Sequence, residues 1–196
     1  MLVYEPSYYL RNPLEIVQIY LGGMSYHGGV LGALVGAYIA HMDFFKLTDR
    51  LCIVALIIIP LGRIANFLNG ELWGRVTDLP IGVIFTGADN LPRHPSQLYE
   101  ALLEGLLLAI ILFLIYKTYQ KKRLYFKVGL LSCYYLIFYS ILRFLVEFTR
   151  EPDAFLGLIG PFQLLSMGQY LSLIYLVLGL VVLYLRIRQR QIKSEQ

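Results

Sequence analysis

The chain has 196 residues, of which 58% are apolar and 15% are charged, and its mean hydropathy is +0.62. A soluble domain typically has about 45–50% apolar and about 25% charged residues. Both values therefore exclude an ordinary water-soluble globule and a disordered chain. The formal net charge of +4 is not a nucleic-acid signal, because the cations lie where the topology of a membrane protein would place them.

Five apolar stretches approach or exceed the ~20 residues that a helix needs to cross a bilayer. We therefore predict an all-α membrane protein with about five transmembrane helices, forming one transmembrane domain over residues 1–196. In chain order the stretches cover residues 26–40, 51–68, 98–116, 128–148 and 169–185. Residues 69–97 are rich in Gly, Pro and Asp, which predicts a folded extracytoplasmic loop or head segment. Ser96 is expected to cap the helix that follows this loop.

Lys and Arg residues predict the orientation of these spans. They cluster between the first and second stretches, between the third and fourth, and in the tail, which all fall on one side of an alternating five-span topology. The positive-inside rule places that side in the cytoplasm, together with the C-terminus. The clusters are Lys46 and Arg50, then Lys117, Lys121, Lys122, Arg123 and Lys127, and finally Arg186, Arg188, Arg190 and Lys193.

Polar residues inside or beside the apolar stretches are the most informative feature. A charge at the bilayer centre costs roughly 2.5–3.5 kcal/mol on insertion scales and is tolerated mainly at functional or paired positions. The residues that qualify all lie toward the predicted outer ends of their helices, and they are Arg63, Asn66, Glu100, Glu104, Arg143 and Glu147.

Arg63 and Arg143 lie on different predicted helices at matching depth, so we expect them to hold one phosphate between them. Tyr139, Arg143 and Glu147 are spaced by four, which places them on one helix face. The alternative interpretation is that Glu147 neutralises Arg143, which then only packs. No acid lies within one turn of Arg63.

The histidines and cysteines give weaker signals. His27 precedes a double glycine and is either a general base or a cap at the membrane interface. His94 is either a functional or a packing residue. We predict no metal and no cofactor, because the three histidines are scattered and no H-E-x-x-H motif occurs. Cys52 and Cys133 lie in apolar runs and are expected to be buried hydrophobic residues.

Five blocks of the sequence together resemble the prolipoprotein diacylglyceryl transferase family in content, order and spacing. The block at 62–75 is close to diagnostic, and the resemblance covers nearly the whole chain. The blocks are GGMSYHGGVLG (22–32), GRIANFLNGELWGR (62–75), RHPSQLYEALLEG (93–105), RFLVEFTREPD (143–153) and SMGQ (166–169).

The resemblance implies a multi-pass enzyme of the bacterial cytoplasmic (inner) membrane. Such an enzyme transfers the diacylglyceryl group of phosphatidylglycerol to the lipobox cysteine of a preprolipoprotein, forming a thioether and releasing glycerol phosphate. The implied partners are phosphatidylglycerol, the lipobox segment and membrane lipid, with no nucleic acid. A phosphate leaving group requires fixed cations in a site of low dielectric, and the reacting thiol, with a pKa of roughly 8.5, belongs to the substrate.

The resemblance also implies roles for individual residues in a site that faces the outer leaflet. Arg63 resembles the family's residue that contacts the phosphatidylglycerol head group, and Arg143 resembles an essential second cation. His27 resembles the family's functional histidine, which would act as a base or proton relay. Deprotonation of the thiol with the assistance of an arginine is an alternative to this role of His27. Glu147 joins Arg143 and His27 in the implied catalytic set, and the implied substrate-binding set is Arg63, Asn66, Glu71, Gly74, His94 and Tyr139.

One departure from the family bears on activity. Members usually have seven helices and begin upstream of the position of Met1, so the resemblance implies that two N-terminal helices are missing. Either the true start lies upstream, or the protein is a short paralogue, which we expect to be less stable than a longer member. The alternative function is a truncated, non-catalytic phospholipid-binding remnant. A small transporter is disfavoured, because the sequence shows no internal repeat.

Overall fold

The computed structural model describes residues 35–36, 38–39, 41–122, 124, 126–151, 158–159 and 165–194. The predicted first span, 26–40, lies outside the described residues except for positions 35, 36, 38 and 39. The chain divides into two compact units, Met1–Leu47 and Thr48–Gln196. The described residues of the candidate site belong to the second unit.

Four helices correspond to the second to fifth predicted stretches. α1, α2 and most of α4 are long and apolar enough to cross a membrane, while α3 is a shorter apolar helix. The predicted class, a helical membrane protein, is confirmed. The helices are α1 (Phe44–Leu68), α2 (Ser96–Lys121), α3 (Leu130–Val146) and α4 (Met167–Ser194), and two short strands, β1 (Leu158–Ile159) and β2 (Leu165–Ser166), pair antiparallel between α3 and α4.

The first described helix, α1, begins earlier than predicted and is not interrupted. Asp43 caps it, since its Oδ1 accepts hydrogen bonds from the backbone N–H groups of Phe45 at 3.0 Å and Lys46 at 3.2 Å, which satisfies donors that a helix start leaves free. The helix continues through Pro60. A side chain on Gly105 of α2 would overlap the Pro60 ring, so the glycine permits a close approach of α1 and α2.

The start of α2 differs from prediction in one respect. Pro95 occupies the capping position, and Ser96 is already in the first turn. The buried Ser96 hydroxyl donates to the carbonyl of Leu72 at 3.2 Å. The prediction that Ser96 caps this helix is therefore wrong, because its hydroxyl ties the preceding loop to the helix instead. The segment Ala101–Leu107 is a π-helix within α2.

Near the N-terminal end of α1, Asp49 forms hydrogen bonds with the start of α3. Its carboxylate accepts hydrogen bonds from the backbone N–H of Gly129 at 2.7 Å and of Ser132 at 2.9 Å. Gly129 has a φ of 92°, a conformation that favours glycine. Arg186, near the end of α4, donates to the carbonyl of Val128. The first residues of α3 thus lie close to an early residue of α1 and a late residue of α4.

Apolar contacts join the middle of α2 to α3. Leu108 and Leu112 of α2 form a buried cluster with Leu142 of α3, and the aromatic residues of α3 pack around it. The helices α3 and α4 also approach closely, since a Cβ atom on Gly179 would lie 2.9 Å from Ile137 Cγ1. This packing fixes the rotation of the helices that carry the polar residues.

Residues 69–95 form a folded segment between α1 and α2. The backbones of Val83 and Arg93 exchange two hydrogen bonds of 2.9 and 3.0 Å. Phe85 is buried, stacks on Trp73 and meets Phe67 edge-on. The segment is also tied to the end of α3, because Arg75 N–H donates to the Thr149 carbonyl at 2.9 Å.

We expect Gly105→Ala to lower the thermal midpoint of the protein in detergent, because the added methyl group collides with Pro60. Overpacking of this kind typically costs about 1–3 kcal/mol. Gly62→Ala is the matched control, since no described residue lies within 4 Å of a Cβ atom built on Gly62 in α1. Thermal unfolding of the two variants measures the difference, and equal midpoints would contradict the close helix approach.

Candidate active site

The side chain of Glu100 joins arginines from two other helices. Its Oε2 atom lies 2.8 Å from Arg63 Nε of α1 and 2.8 Å from Arg143 Nη1 of α3. Its Oε1 atom lies 3.5 Å from Arg150 Nη1, just beyond α3. Glu100 is fully buried at the start of α2. One carboxylate therefore brings together the end of α1, the start of α2 and the end of α3.

Arg143 is surrounded by acids. Besides Glu100, its Nη1 contacts Glu104 Oε1 at 3.2 Å, and its Nη2 contacts Glu147 Oε2 at 2.8 Å. Glu104 is fully buried and lies in the π-helical segment of α2, a distortion that occurs frequently at functional sites. The Arg143–Glu147 pair anticipated from the sequence is present, and two acids from α2 add to it.

The formal charges of this cluster balance, with three arginines facing three glutamates. The members of the Arg–Glu cluster are Arg63, Arg143, Arg150, Glu100, Glu104 and Glu147. Charges removed from water are tolerated when they are paired and hydrogen-bonded. The pairing across helices explains how charged residues are accommodated in apolar stretches of the sequence.

Arg63 differs from Arg143 in its free donors. Although no acid lies within one turn of Arg63 in the sequence, Glu100 reaches its Nε from α2. Among the described residues, its Nη1 and Nη2 groups have no hydrogen-bond or ion-pair partner. Its side chain is 21% exposed, against 14% for Arg143, both of whose Nη groups are engaged. The guanidinium fork of Arg63 is therefore open among the described residues.

A second group of polar residues shapes the turn that follows α1. Asn66 Nδ2 donates to Glu71 Oε1 at 2.9 Å, and Asn69 Nδ2 donates to the same atom at 3.3 Å. These bonds, that of Asn66 first, hold the pKa of Glu71 below its ordinary value. Gln97 Nε2 donates to the Glu71 backbone carbonyl at 2.6 Å. Glu71 is thus ionised at neutral pH, where its carboxylate stabilises the turn and does not donate a proton.

Gly74 and His94 meet in the loop between α1 and α2. Gly74 N–H donates to the His94 carbonyl at 2.9 Å. A Cβ atom on Gly74 would overlap the Thr149 carbonyl and lie 2.7 Å from the His94 carbonyl oxygen, so only glycine fits. The His94 ring contacts Tyr99, with Nδ1 3.3 Å from the hydroxyl oxygen.

Arg93 of the same loop pairs with two exposed acids, Asp89 and Glu151. Arg93 donates two hydrogen bonds to the carboxylate of Asp89, at 3.0 and 2.8 Å, and one to Glu151 at 3.0 Å. The hydrogen bonds from Arg93 are the main reason that the pKa of Asp89 falls to about 2. This pair is separate from the buried cluster and lies in a more solvated part of the molecule.

The structure separates the sequence-predicted residues into groups. Arg63, Arg143 and Glu147 meet in the Arg–Glu cluster, whereas Tyr139 stacks on Tyr135, with ring centroids 5.7 Å apart, beside the apolar cluster. His27 lies outside the described residues. No group of three or more His, Cys, Asp or Glu side chains in the described part of the chain is arranged to hold a metal ion.

Sequence reasoning did not assign a role to four participants, namely Glu100, Glu104, Arg150 and Ser166. Glu100 and Glu104 were conspicuous as acids in an apolar stretch, but nothing in the sequence indicated their partners. Ser166 donates a hydrogen bond to Glu147 Oε1 at 2.9 Å, and its only signal was its place in the SMGQ block.

Comparisons with a family model and with individual known proteins identify the same family. The family model described as prolipoprotein diacylglyceryl transferase matches residues 1–185. The chain is 47% identical over 186 residues to the phosphatidylglycerol–prolipoprotein diacylglyceryl transferase of Polynucleobacter asymbioticus, covering 93% of this chain and 68% of that protein. The proteins of the same name from Rickettsia felis and Geobacter sulfurreducens are 49% and 47% identical, over 91% and 97% of this chain and 69% and 72% of the relatives.

We expect Glu100→Gln to lower the thermal midpoint strongly, because three arginines would lose their shared counter-charge. Breaking a buried ion pair typically costs about 3–5 kcal/mol. The matched control is Glu151→Gln, which removes the acid of a pair whose glutamate side chain is 48% exposed and should cost about 0–1 kcal/mol. Thermal unfolding in detergent compares the two, and a Glu100→Gln midpoint as high as that of the control would contradict the pairing described.

Proposed function

Since the chain belongs to the prolipoprotein diacylglyceryl transferase family, we propose that it transfers the diacylglyceryl group of phosphatidylglycerol to a cysteine thiol of a prolipoprotein. The sulfur forms a bond to a glycerol carbon of the lipid, and the bond from that carbon to the phosphate oxygen breaks. The products are a thioether and glycerol phosphate. The thiol belongs to the lipobox of the substrate, so the reaction requires no cysteine of the enzyme.

One observation carries the proposed mode of lipid binding, namely the open fork of Arg63. Its Nε lies 2.8 Å from Glu100 Oε2, and its two Nη groups have no hydrogen-bond or ion-pair partner among the described residues. A guanidinium held in this way offers parallel N–H donors to two oxygens of one phosphate. The partial burial of Arg63 strengthens such a contact relative to one in water. Arg63 is thus the proposed phosphate contact.

Arg143 acts beside this contact as a fixed positive charge. Its contacts with Glu100, Glu104 and Glu147 hold the guanidinium in place, so it does not reorganise as negative charge develops on the leaving phosphate. Charge that is positioned before the reaction stabilises a transition state more effectively than charge that must move. Glu147 serves as an anchor for Arg143.

The remaining proposed site residues support these two arginines. Asn66, Glu71 and Gly74 form the turn and loop that follow Arg63, and His94 and Tyr139 support them by packing. The substrate thiol, with a pKa of roughly 8.5, must lose its proton before or during attack. We assign that step to His27 as base or relay, with arginine-assisted deprotonation as the competing route.

Family membership places the protein in the bacterial inner membrane, and the distribution of charge supports an orientation. Lys117, Lys121 and Lys122 lie at the far end of α2 from Glu100. By the positive-inside rule that basic end is cytoplasmic. The Arg–Glu cluster then faces the outer leaflet, where both the lipid and the lipobox segment are accessible.

Release of glycerol phosphate from phosphatidylglycerol in the presence of a lipobox peptide tests the proposed activity. Arg63→Ala should lower kcat/KM by about 100-fold or more, the effect of removing a donor to transition-state charge, while membrane insertion is retained. Cys52→Ala and Cys133→Ala are controls that should keep their activity. A wild-type chain that releases no glycerol phosphate would overturn the proposed function.

Arg143→Lys should be nearly as damaging as Arg143→Ala in the same assay. A single lysine ammonium group cannot reproduce a planar fork whose two Nη groups contact three carboxylates. If Arg143→Lys instead kept most of the wild-type kcat/KM, charge alone would be sufficient and the described geometry of Arg143 would be irrelevant to the reaction.

A further inference from the structure

The carboxylate of Glu147 is held from two sides. On one side Oε2 accepts a hydrogen bond from Arg143 Nη2 at 2.8 Å. On the other side Oε1 accepts a hydrogen bond from the Ser166 hydroxyl at 2.9 Å. Both Glu147 and Ser166 are buried. Glu147 thus connects the cluster at the end of α3 with the residues that start α4.

The direction of the Ser166 hydroxyl is itself fixed. Its oxygen accepts a hydrogen bond from Gln169 N–H at 3.2 Å, while Ser166 N–H donates to Gln169 Oε1 at 3.0 Å. This reciprocal pair is a capping box at the start of α4. Since the oxygen is engaged as an acceptor, the single hydroxyl proton is available to the Glu147 carboxylate.

Gly168 provides the space that this arrangement requires. A Cβ atom at this position would lie 2.7 Å from Glu147 Oε1 and 2.8 Å from Glu147 Cδ. Any larger residue therefore displaces the carboxylate. By contrast, no atom of the described part of the chain lies within 4 Å of a Cβ atom built on Gly62 in α1.

We infer that Ser166 and Gly168 are positioning residues, which set the carboxylate of Glu147 and through it the guanidinium of Arg143. This inference rests on the proposed function, because it assigns the SMGQ block to the geometry of the same site. Ser166 supplies the hydrogen bond that orients the carboxylate, and Gly168 leaves it room. Without either contribution, Arg143 loses the defined position of its partner on Nη2.

Steady-state kinetics of the full chain with phosphatidylglycerol and a lipobox peptide test this inference. Ser166→Ala should lower kcat/KM by about 10-fold or more, as expected for the loss of a hydrogen bond to a charged group. Ser166→Thr retains the hydroxyl and should stay within about threefold of wild type on the same grounds. Gly168→Ala should resemble Ser166→Ala, and Gly62→Ala is the neutral control.

The double variant Ser166→Ala/Gly168→Ala distinguishes positioning from a general loss of stability. Both changes act on one carboxylate, so the double variant should be about as active as the worse single variant. Losses that multiply, or a Ser166→Thr variant as inactive as Ser166→Ala, would overturn the inference. Activities are measured at temperatures well below the thermal midpoint of each variant. A lower activity then does not reflect unfolding caused by the loss of the α4 cap.

A second readout does not depend on turnover. Nanodiscs of phosphatidylglycerol, compared with nanodiscs of phosphatidylcholine, should raise the thermal midpoint of the wild type and of Gly62→Ala. The rise should also be retained in Ser166→Ala and Gly168→Ala, because these changes act on Glu147 and Arg143 and leave Arg63, the proposed phosphate contact, in place. If the wild type released no glycerol phosphate, the proposed function would fail, and a lost rise in these two variants would independently contradict a role confined to positioning Glu147 and Arg143.

Discussion

A single carboxylate oxygen, Glu100 Oε2, accepts contacts from the guanidinium groups of Arg63 and Arg143 at 2.8 Å each. Neither arginine is easily accommodated in an apolar helix alone, because a charge removed from water requires a partner. The shared acid supplies that partner from a third helix. It also requires the ends of α1 and α3 and the start of α2 to lie together, so the requirement for charge pairing determines the arrangement of the helices at this end.

The same pairing gives two chemically identical side chains, Arg63 and Arg143, different surroundings. Arg143 meets three acids and has both Nη groups engaged, whereas the Nη groups of Arg63 have no partner among the described residues. In the proposed mechanism, the number of acids within reach decides which cation is held as a fixed charge and which binds the phosphate. Glu147 extends the fixed part of the site to Ser166 at the start of α4.

Sequence reasoning predicted the features that depend on amino-acid composition and on the depth of a residue within its helix. Hydropathy identified the stretches that form α1 to α4, and the matching depth of Arg63 and Arg143 indicated that they would meet. The pairing of both with Glu100 depends on the rotation of α2, which includes a π-helical segment without a sequence signature. The Ser96 cap was mispredicted because the hydroxyl has a partner, Leu72, that is distant along the chain. Contacts of this kind are set by tertiary packing and not by local pattern.

The most direct test of the account is dipolar recoupling between arginine carbon-13 and lipid phosphorus-31 in solid-state NMR, using the protein in phosphatidylglycerol bilayers with its arginine guanidinium carbons labelled. The account predicts a close contact between one guanidinium carbon and the lipid phosphorus that disappears in Arg63→Lys and persists in Arg93→Lys, which changes an arginine of the solvated loop. The absence of any such contact, or a contact that survives the replacement of Arg63, would contradict the assignment of Arg63 as the residue that binds the phosphate.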